Sequence, residues 1–364
     1  MRFKADRKQF LSAISAVKSA TGKPLHPILE CLVIAVTAVV KITASDGNIW
    51  LTHVLEPLEI GSGGTAAVNA ATLVDVVKSL SGESLDVVKD GNSLVVSCGK
   101  ARVKVDAVID PASMPAQPVP VQSPAASLGV YTVSSDILAE ILTAALPAAS
   151  RDPNRPHLTG VHLSFLDDSG FTAEACNGYM ATLIATKGHA GKAVSKGTIP
   201  AKACQIIAQL DGPVELIRSG QFIFAITDTV SIAATLLEGQ FPPVDTLVPK
   251  VLPSKYSSDK AGLLQAVRLA GIFSRGGGIE LHCLKDAVSF EASNEKGKCK
   301  QEVQADLEGQ VVTVKAAPEY LQAAFNACPG DSVELGIASD LGPVIVSGSG
   351  EFYSVTSIIA GMRL

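Results

Sequence analysis

The sequence predicts an α+β fold made of three copies of one unit, each with two helices packed on antiparallel sheet. Three observations predict it: an amphipathic helix that recurs at a regular interval, a turn motif that follows each of these helices, and a strand that leads into a second helix in every copy. A fixed period is the signature of a repeated architecture. Runs of strands between separate helices favour an α+β fold, since a parallel sheet would need strands and helices in strict alternation.

The first helix of each unit follows a polar residue that can cap it. The cap candidates are Asp6, Ser135 and Asp259, and apolar residues at helical spacing come after each of them. The leading apolar pairs are Phe10-Leu11, Ile137-Leu138 and Leu263-Leu264, which lie 127 and then 126 residues apart. This interval sets the length of the repeat.

A short turn motif joins two strands after the first helix of each unit. It reads Ala-Ser-Asp-Gly at 44–47, Ala-Cys-Asn-Gly at 175–178 and Ala-Ser-Asn-Glu at 292–295. Asp and Asn favour turns because their side chains hydrogen-bond to the backbone a few residues further on. We therefore expect the same turn three times.

The second helix of each unit follows a short strand and precedes a glycine. These helices are predicted over 72–80, 202–210 and 318–327, and the glycines that follow them are Gly82, Gly212 and Gly330. Glycine commonly ends a helix because it adopts the left-handed conformation without a side-chain clash. We expect these glycines to cap the helices, and the alternating residues after them to resume the sheet.

Proline-rich segments separate the units. The segments 111–124 and 242–253 are predicted to be extended linkers. The predicted domains are therefore residues 1–120, 128–248 and 250–364.

Composition excludes several classes of protein. The 364-residue chain has 47% hydrophobic residues, a formal net charge of −5 and seven single cysteines without a Cys-x-x-Cys pair, which fits reduced thiols. Its longest apolar run, Cys31 to Val40, is shorter than the roughly 20 residues that cross a bilayer. The charged start lacks the apolar core of a secretory signal. We expect a cytoplasmic protein without membrane contact.

No pattern in the sequence indicates catalysis, and we expect neither a cofactor nor a metal. The six histidines lack metal-ligand spacing. Gly191-Lys192 does not fit a phosphate-binding loop, because Thr186 and Ala193 stand where a glycine and a hydroxyl residue are needed. No Gly-x-Ser-x-Gly elbow occurs. A small-molecule enzyme of unrecognised α+β fold is the alternative from another class, although catalysis seldom needs three similar units.

Four motifs, in order along the chain, resemble the β sliding clamp of bacterial replicative DNA polymerase, the DNA polymerase III beta subunit. They are the opening Met-Arg-Phe-Lys with Lys23-Pro-Leu-His-Pro-Ile-Leu29, then Ala175-Cys-Asn-Gly-Tyr-Met-Ala181, Leu237-Glu-Gly-Gln-Phe-Pro242 and the terminal Gly361-Met-Arg-Leu364. The resemblance covers essentially the whole chain, which looks like a divergent member. It implies three DNA-clamp domains, a head-to-tail homodimer that forms a ring, and a non-catalytic processivity factor.

The resemblance also implies the partners. A clamp encircles duplex DNA without reading its sequence, because contacts to phosphates carry no base information. It tethers DNA polymerase, the clamp loader and repair proteins through short linear peptides. An accessory clamp paralogue that serves inhibitor resistance, a phage or a plasmid is an alternative that the sequence leaves open.

Candidates for two kinds of contact are carried over from the resemblance position by position. The DNA-binding candidates are Lys23, Lys78, Arg151, Arg155, Lys202 and Lys315, with Lys8, Lys18 and Arg268 also on or beside the helices. The dimer-interface candidates are Val103, on the predicted edge strand 101–105, and the pair Ile272-Phe273.

The resemblance further implies a peptide pocket between the second and third units. Such pockets combine apolar anchors with a polar rim. Its candidate lining is Leu158, Cys176, Gly178, Tyr179, Met180, Ala181, Pro242, Thr246, Leu247, Leu341, Pro343, Ile358, Ile359, Ala360, Gly361, Met362, Arg363 and Leu364. Tyr179, Met180, Thr246, Ala360 and Gly361 depart from the common family pattern and imply an altered peptide preference.

Overall fold

Three repeats of helices and antiparallel strands make up the chain, as predicted. The structure, a computed structural model, describes residues 1–22, 26–106, 110–120, 127–168, 170–187, 193–274 and 276–363. The first repeat contains β1 (Arg2–Asp6), α1 (Arg7–Lys18), β2 (Cys31–Val36), β3 (Val40–Ser45), β4 (Ile49–Leu55), β5 (Glu59–Ser62), β6 (Gly64–Asn69), α2 (Ala70–Ser79), β7 (Ser84–Asp90), β8 (Ser93–Cys98) and β9 (Ala101–Asp106).

The second and third repeats follow the same order of elements. The second contains β10 (Ser127–Ser134), α3 (Ser135–Ala145), β11 (Gly160–Leu166), β12 (Phe171–Cys176), β13 (Met180–Thr186), β14 (Ala193–Pro200), α4 (Ala201–Ile207), β15 (Pro213–Ser219), β16 (Phe222–Ile226) and β17 (Val230–Thr235). The third contains β18 (Ser254–Asp259), α5 (Lys260–Ser274), β19 (Ile279–Cys283), β20 (Ala287–Asn294), β21 (Gly297–Gly309), β22 (Val312–Ala316), α6 (Pro318–Ala327), β23 (Ser332–Ile337), β24 (Val344–Ser349) and β25 (Tyr353–Ile359).

The first helix of each repeat buries one stripe of apolar residues. The four stripe positions are Phe10, Ala13, Ile14 and Val17 in α1, Leu138, Ile141, Leu142 and Ala145 in α3, and Leu263, Ala266, Val267 and Ala270 in α5. This spacing puts all four side chains on one face of a helix. Asp6 caps α1 by accepting from Gln9 N at 2.9 Å, and Asp259 caps α5 by accepting from Gly262 N at 2.6 Å, as predicted.

The second helices end before the glycines, so the prediction of glycine caps was wrong. The capping residues are Leu80, Ala208 and Cys328, whose N–H groups donate back into α2, α4 and α6. Their backbones are extended or right-handed, conformations that need no glycine. Gly212 and Gly330 do have positive φ angles, 78° and 74°, but in the turns that lead to β15 and β23.

The predicted turn occurs in all three repeats. Asp46 Oδ1 accepts from the N–H groups two and three residues further on, at 3.0 and 2.8 Å. Asn177 Oδ1 does the same at 2.9 and 2.8 Å, and Asn294 Oδ1 accepts from the N–H two residues on at 2.8 Å. The side chain therefore fixes the same backbone path three times.

The chain divides into two compact units. Unit 1 is residues 1–135 and 209–235, and it contains the sheets β5-β1-β7-β8-β9 and β10-β15-β16-β17-β4-β3-β2-β6. Unit 2 is residues 136–208 and 236–364, with the strand order β14-β11-β12-β13-β25-β24-β23-β18-β21-β20-β19-β22. The second repeat contributes to both, because β17 pairs with β4 of the first repeat and β13 pairs with β25 of the third. The domain boundaries given above stay a prediction.

The two proline-rich segments are attached to the sheets, which the prediction of extended linkers did not include. In the first, Pro115 O accepts from Trp50 Nε1 at 3.0 Å, and the Gln117 side chain hydrogen-bonds to Thr52 and Ser231. The second contains the short 3-10 helix Val244–Leu247. Residues 111–120 and 242–253 are therefore part of the packed structure, and 121–124 lie outside the described residues.

The cysteines behave as core residues. All seven fall within the described ranges, none is paired, and six are buried. Among the helices of those ranges, none is both long and apolar enough to cross a membrane.

Candidate functional site

Four apolar side chains form a row across the sheet of unit 2. Cys176, Ala181, Ile358 and Ile345 are direct partners along β12, β13, β25 and β24. Partners on antiparallel strands project from the same face, so the row is a continuous apolar strip. Ile345 was not among the predicted pocket residues, because the apolar run of β24 gives no signal for which face is which.

Three side chains from connecting segments cover this strip. Leu158 comes from the 3-10 helix Pro156–Leu158, Phe241 directly precedes the second proline-rich segment, and Val244 lies within that segment. Leu183, Val248 and Leu252 pack against the margin. We refer to the four row residues and these three covering residues as the pocket cluster. Sequence reasoning missed Phe241 and Val244, although a large apolar residue inside the Leu-Glu-Gly-Gln-Phe-Pro motif was a signal for an anchor.

Three of the predicted pocket residues are large apolar side chains that stay exposed. Tyr179, Leu247 and Leu341, all predicted pocket residues, are 67%, 48% and 64% exposed. The other predicted residues on this surface are exposed or partly exposed: Gly178, Pro242, Thr246, Pro343, Ala360, Gly361 and Arg363. Apolar groups left in solvent beside a packed apolar strip are typical of a docking surface for another molecule.

Met180 and Ile359 lie on the other face of the same sheet. They are cross-strand partners of each other, one position along from Ala181 and Ile358, and both are buried. Since side chains alternate between faces along a strand, the structure does not bring these two residues into the pocket cluster.

The end of the chain runs from the Tyr179 turn to β22. Ala360 N donates to Tyr179 O at 2.8 Å, and Met362 N donates to Lys315 O at 2.7 Å. At Gly361, an added Cβ would lie 2.4 Å from Gly342 O, so only glycine fits this close approach. Met362 packs beside Gly278 and β22, outside the pocket cluster. Leu364 lies outside the described residues.

Two predicted DNA-binding residues line a cavity beside the Tyr179 turn. The cavity, of about 610 Å³, is bordered by Arg151, Arg155, Tyr179, Tyr320 and Glu319, among others. The Tyr179 and Tyr320 rings are stacked, with centroids 6.3 Å apart and planes at 11°. Burial, with Glu319 nearby, raises the pKa of Tyr320. No pattern in the sequence singles out Tyr320, which lies on α6, the second helix of its repeat.

The other DNA-binding candidates lie at separate places along the repeats. Lys8, Lys78 and Arg268 are exposed on α1, α2 and α5, whereas Lys18 and Lys202 are partly exposed on α1 and α4. Lys315 is on β22, 3.9 Å from the carboxylate of Glu280, and its side chain is 21% exposed. Lys23 lies outside the described residues.

The dimer-interface candidates occupy an edge strand and a helix end. Val103 is on β9, the outermost strand of its sheet, as the sequence predicted. Ile272 is 66% exposed near the end of α5. The Phe273 ring lies against Gly297 and is partly buried.

Comparisons with known proteins agree with this fold. A sequence profile described as "DNA polymerase III beta subunit, N-terminal domain" matches residues 1–117. Proteins named beta sliding clamp from Streptococcus pneumoniae and Staphylococcus aureus are 23% and 24% identical, over 94% and 100% of this chain and 94% and 99% of their own lengths. Crystal structures of DNA polymerase beta subunits from Streptococcus pyogenes and Thermotoga maritima match all of this chain with TM-scores of 0.90 and 0.88, at 22% and 16% identity, over 100% and 99% of their own chains.

The fold along the whole chain is that of a DNA polymerase clamp subunit. Its first 117 residues match the profile of the DNA polymerase III beta subunit, and along its whole length the chain is similar, at low identity, to proteins named beta sliding clamp. The resemblance to a divergent β clamp expected from the sequence is therefore confirmed for the fold.

Proposed function

We propose that two copies of this chain close into a ring around duplex DNA and hold DNA polymerase on its template during replication. The observation that supports this most is the clamp fold with three repeats along the whole chain. Three repeats per chain favour two chains per ring, because the family resemblance implies six units in the circle. A joint between unlike surfaces closes when the second copy completes the ring.

The joint would use the edge of β9 from one copy and the end of α5 from the other. An outermost strand presents unpaired N–H and C=O groups that can pair with a second chain. The exposed Ile272 side chain would supply apolar contact beside it. Head-to-tail assembly follows, because these two surfaces belong to different units.

We propose that the ring is non-catalytic and slides because its contacts with DNA are electrostatic. Within the described ranges no group of three or more His, Cys, Asp and Glu side chains could hold a metal. Lys23, Lys78, Arg151, Arg155, Lys202 and Lys315 are the proposed phosphate contacts. Contacts of this kind leave no preferred position along the duplex. The cytoplasmic location expected from the sequence stays a prediction.

The pocket cluster with its exposed rim is the proposed docking site for short peptides of DNA polymerase, the clamp loader and repair proteins. Apolar anchors that enter a partly covered strip, with polar contacts around it, are the usual basis of such binding.

Retention on circular DNA tests the ring. We expect the chain, loaded by its clamp loader, to stay on a nicked circle at a salt concentration that disrupts simple charge attraction, and to be lost when the circle is cut once. The measurement is the amount of chain that elutes with the DNA in gel filtration. A circle cut and then blocked at both ends by bound protein is the control and should retain the chain. Equal retention on open linear and circular DNA would contradict the topological proposal.

A further inference from the structure

We infer that His162 and Glu174 position the wall of the peptide site, and that peptide affinity depends on them. This inference rests on the proposed peptide-binding function, and it concerns two residues outside the pocket cluster. Neither residue would touch the peptide. They act through the segment 237–247, the wall segment, which supplies Phe241 and Val244 to the cluster.

His162 and Glu174 belong to a polar row that runs beside the apolar row. Thr198, His162 and Glu174 are direct partners along β14, β11 and β12. Glu174 lies two residues before Cys176, so both rows project from the same face of the sheet. Leu183, the next partner of Glu174, already packs against the pocket cluster. The polar row is therefore the surface on which the wall segment rests.

The wall segment contacts each strand of that row in turn. Leu237 N donates to Thr198 O at 2.8 Å. The Phe241 ring lies flat on the His162 imidazole, with centroids 4.7 Å apart and planes at 6°. The backbone of Val244 and the Asp245 carboxylate lie close enough to the Glu174 carboxylate to shift its pKa in opposite directions. Each contact places one point of the segment, and together they fix how Phe241 and Val244 enter the apolar strip.

The stacking of Phe241 on His162 depends on a neutral imidazole. His162 Nδ1 hydrogen-bonds with Thr198 Oγ1 at 3.0 Å. Burial, with Lys196 nearby, lowers the pKa of His162 to about 4. If Phe241 left the ring, the imidazole would regain water and its pKa would return toward 6.5. His162 therefore binds a proton more readily when the wall segment is displaced. The contact between the wall segment and His162 weakens as pH falls from about 6.5 toward 4.

Glu174 titrates in the opposite sense. Burial, with Asp245 nearby, raises the pKa of Glu174, while the Val244 N–H and Lys196 lower it. Proton uptake by Glu174 thus favours the wall segment in its packed position. This would offset the effect of proton uptake by His162. Glu174→Gln removes this titration and keeps a side chain of the same length with an oxygen beside the Val244 backbone. In the Glu174→Gln variant, His162 is the one residue of the polar row that still titrates.

Affinity for a labelled peptide is the first test. The probe is a fluorescein-labelled hexapeptide with leucine and phenylalanine anchors, and the protein is the full chain at pH 7.5. We expect His162→Ala to bind about fivefold more weakly, because a stacked pair of rings is lost, and His162→Phe to bind within about twofold of wild type. Glu174→Leu should weaken binding where Glu174→Gln does not. His53→Gln, a half-buried histidine on β4 of unit 1, is the matched control and should bind normally.

Hydrogen exchange of the wall segment is the second test, and it does not depend on any peptide. In Glu174→Gln, we expect protection of the amides of Phe241 and of 244–247 to fall about tenfold between pH 7 and pH 5 after correction for intrinsic rates. Adding His162→Phe should abolish this fall. Equal protection profiles for the single and double variants would overturn the inference. If the profiles differ as expected but wild type binds no peptide, the proposed function fails and the positioning role stands.

Discussion

Leu247 and Leu341, both predicted pocket residues, keep apolar side chains in solvent. Neither side chain supports the core, so each is free to contact a partner. The departures from the family pattern act at this same scale. Tyr179 adds a second aromatic face beside Tyr320, and Gly361 lets the chain end pass close to Gly342. At both positions the departure from the family pattern changes what the surface beside the pocket cluster can contact.

Truncation of an exposed anchor should weaken peptide binding without destabilising the chain. We expect Leu341→Ala to lower affinity for the labelled hexapeptide by roughly threefold to tenfold, while the unfolding temperature stays unchanged. Val311→Ala removes the same kind of group from a side chain that is 63% exposed elsewhere in unit 2. That control should bind as wild type does. Equal affinity of Leu341→Ala and Val311→Ala would remove Leu341 from the site.

Sequence reasoning reached the pocket residues on the sheet but could not sort them by face. Cys176, Ala181 and Ile358 project to the cluster, whereas Met180 and Ile359 project away. Strands buried on both sides are apolar at every position, so their alternation leaves no pattern in the sequence. The polar row of His162 and Glu174 was missed for a related reason: it forms only when β11 and β12 pair.

At the scale of the element, the turn after β12 has the structure that its local sequence predicts. The turn was predictable because Asn177 acts on its own neighbours, and no distant contact is needed. The ends of α2, α4 and α6 were not predictable from the nearest glycine. Packing against the sheet decides where a helix stops, and the residue one past its end caps it without help from glycine.

Removal of the turn side chain should have different effects in different repeats. We expect Asn177→Ala to lose two hydrogen bonds, to destabilise the chain by about 1–2 kcal/mol, and to weaken peptide binding because Tyr179 follows the turn. Asp46→Ala removes the equivalent pair in unit 1 and is the matched control. It should destabilise similarly in a thermal melt but leave peptide affinity unchanged. A loss of affinity in both variants would indicate a general effect of stability.

Deletion of residues 362–364 tests the end of the chain as an element. Its backbone pairs with β22 through Met362, so the deletion should release the preceding residues beside Tyr179. We expect peptide and polymerase binding to be abolished while the dimer, measured by light scattering, stays intact. Replacement of the same residues by alanines keeps the length and serves as the control for backbone pairing. Unchanged binding after deletion would move the partner site elsewhere.

For the whole molecule, the threefold repeat was predictable and the division into units was not. The repeat appears in the sequence as a period, whereas the units arise because β17 pairs with β4 and β13 pairs with β25. Such pairings join residues far apart in the chain, and single-sequence patterns carry no information about them. The same limit applies to the joint between two copies.

A charge placed in the proposed joint should separate the copies. We expect Ile272→Asp to shift the chain from dimer to monomer in light scattering at micromolar concentration, because a carboxylate would be buried without a partner. Leu58→Asp introduces the same charge at a side chain that is 65% exposed, against 66% for Ile272. That control should remain dimeric. A dimer that survives Ile272→Asp and Val103→Asp together would place the joint on other surfaces.

The pairing of β17 with β4 also bears on how such a chain can change over generations. The second repeat is not an independent module, since its strand β17 completes the sheet of the first repeat. A recombination event that exchanged one repeat alone would leave the edge of β4 bare and inclined to aggregate. Where strands of two repeats pair, a substitution on one strand therefore needs a compensating substitution on its partner. Residues on the exposed rim of the peptide site can instead change one at a time.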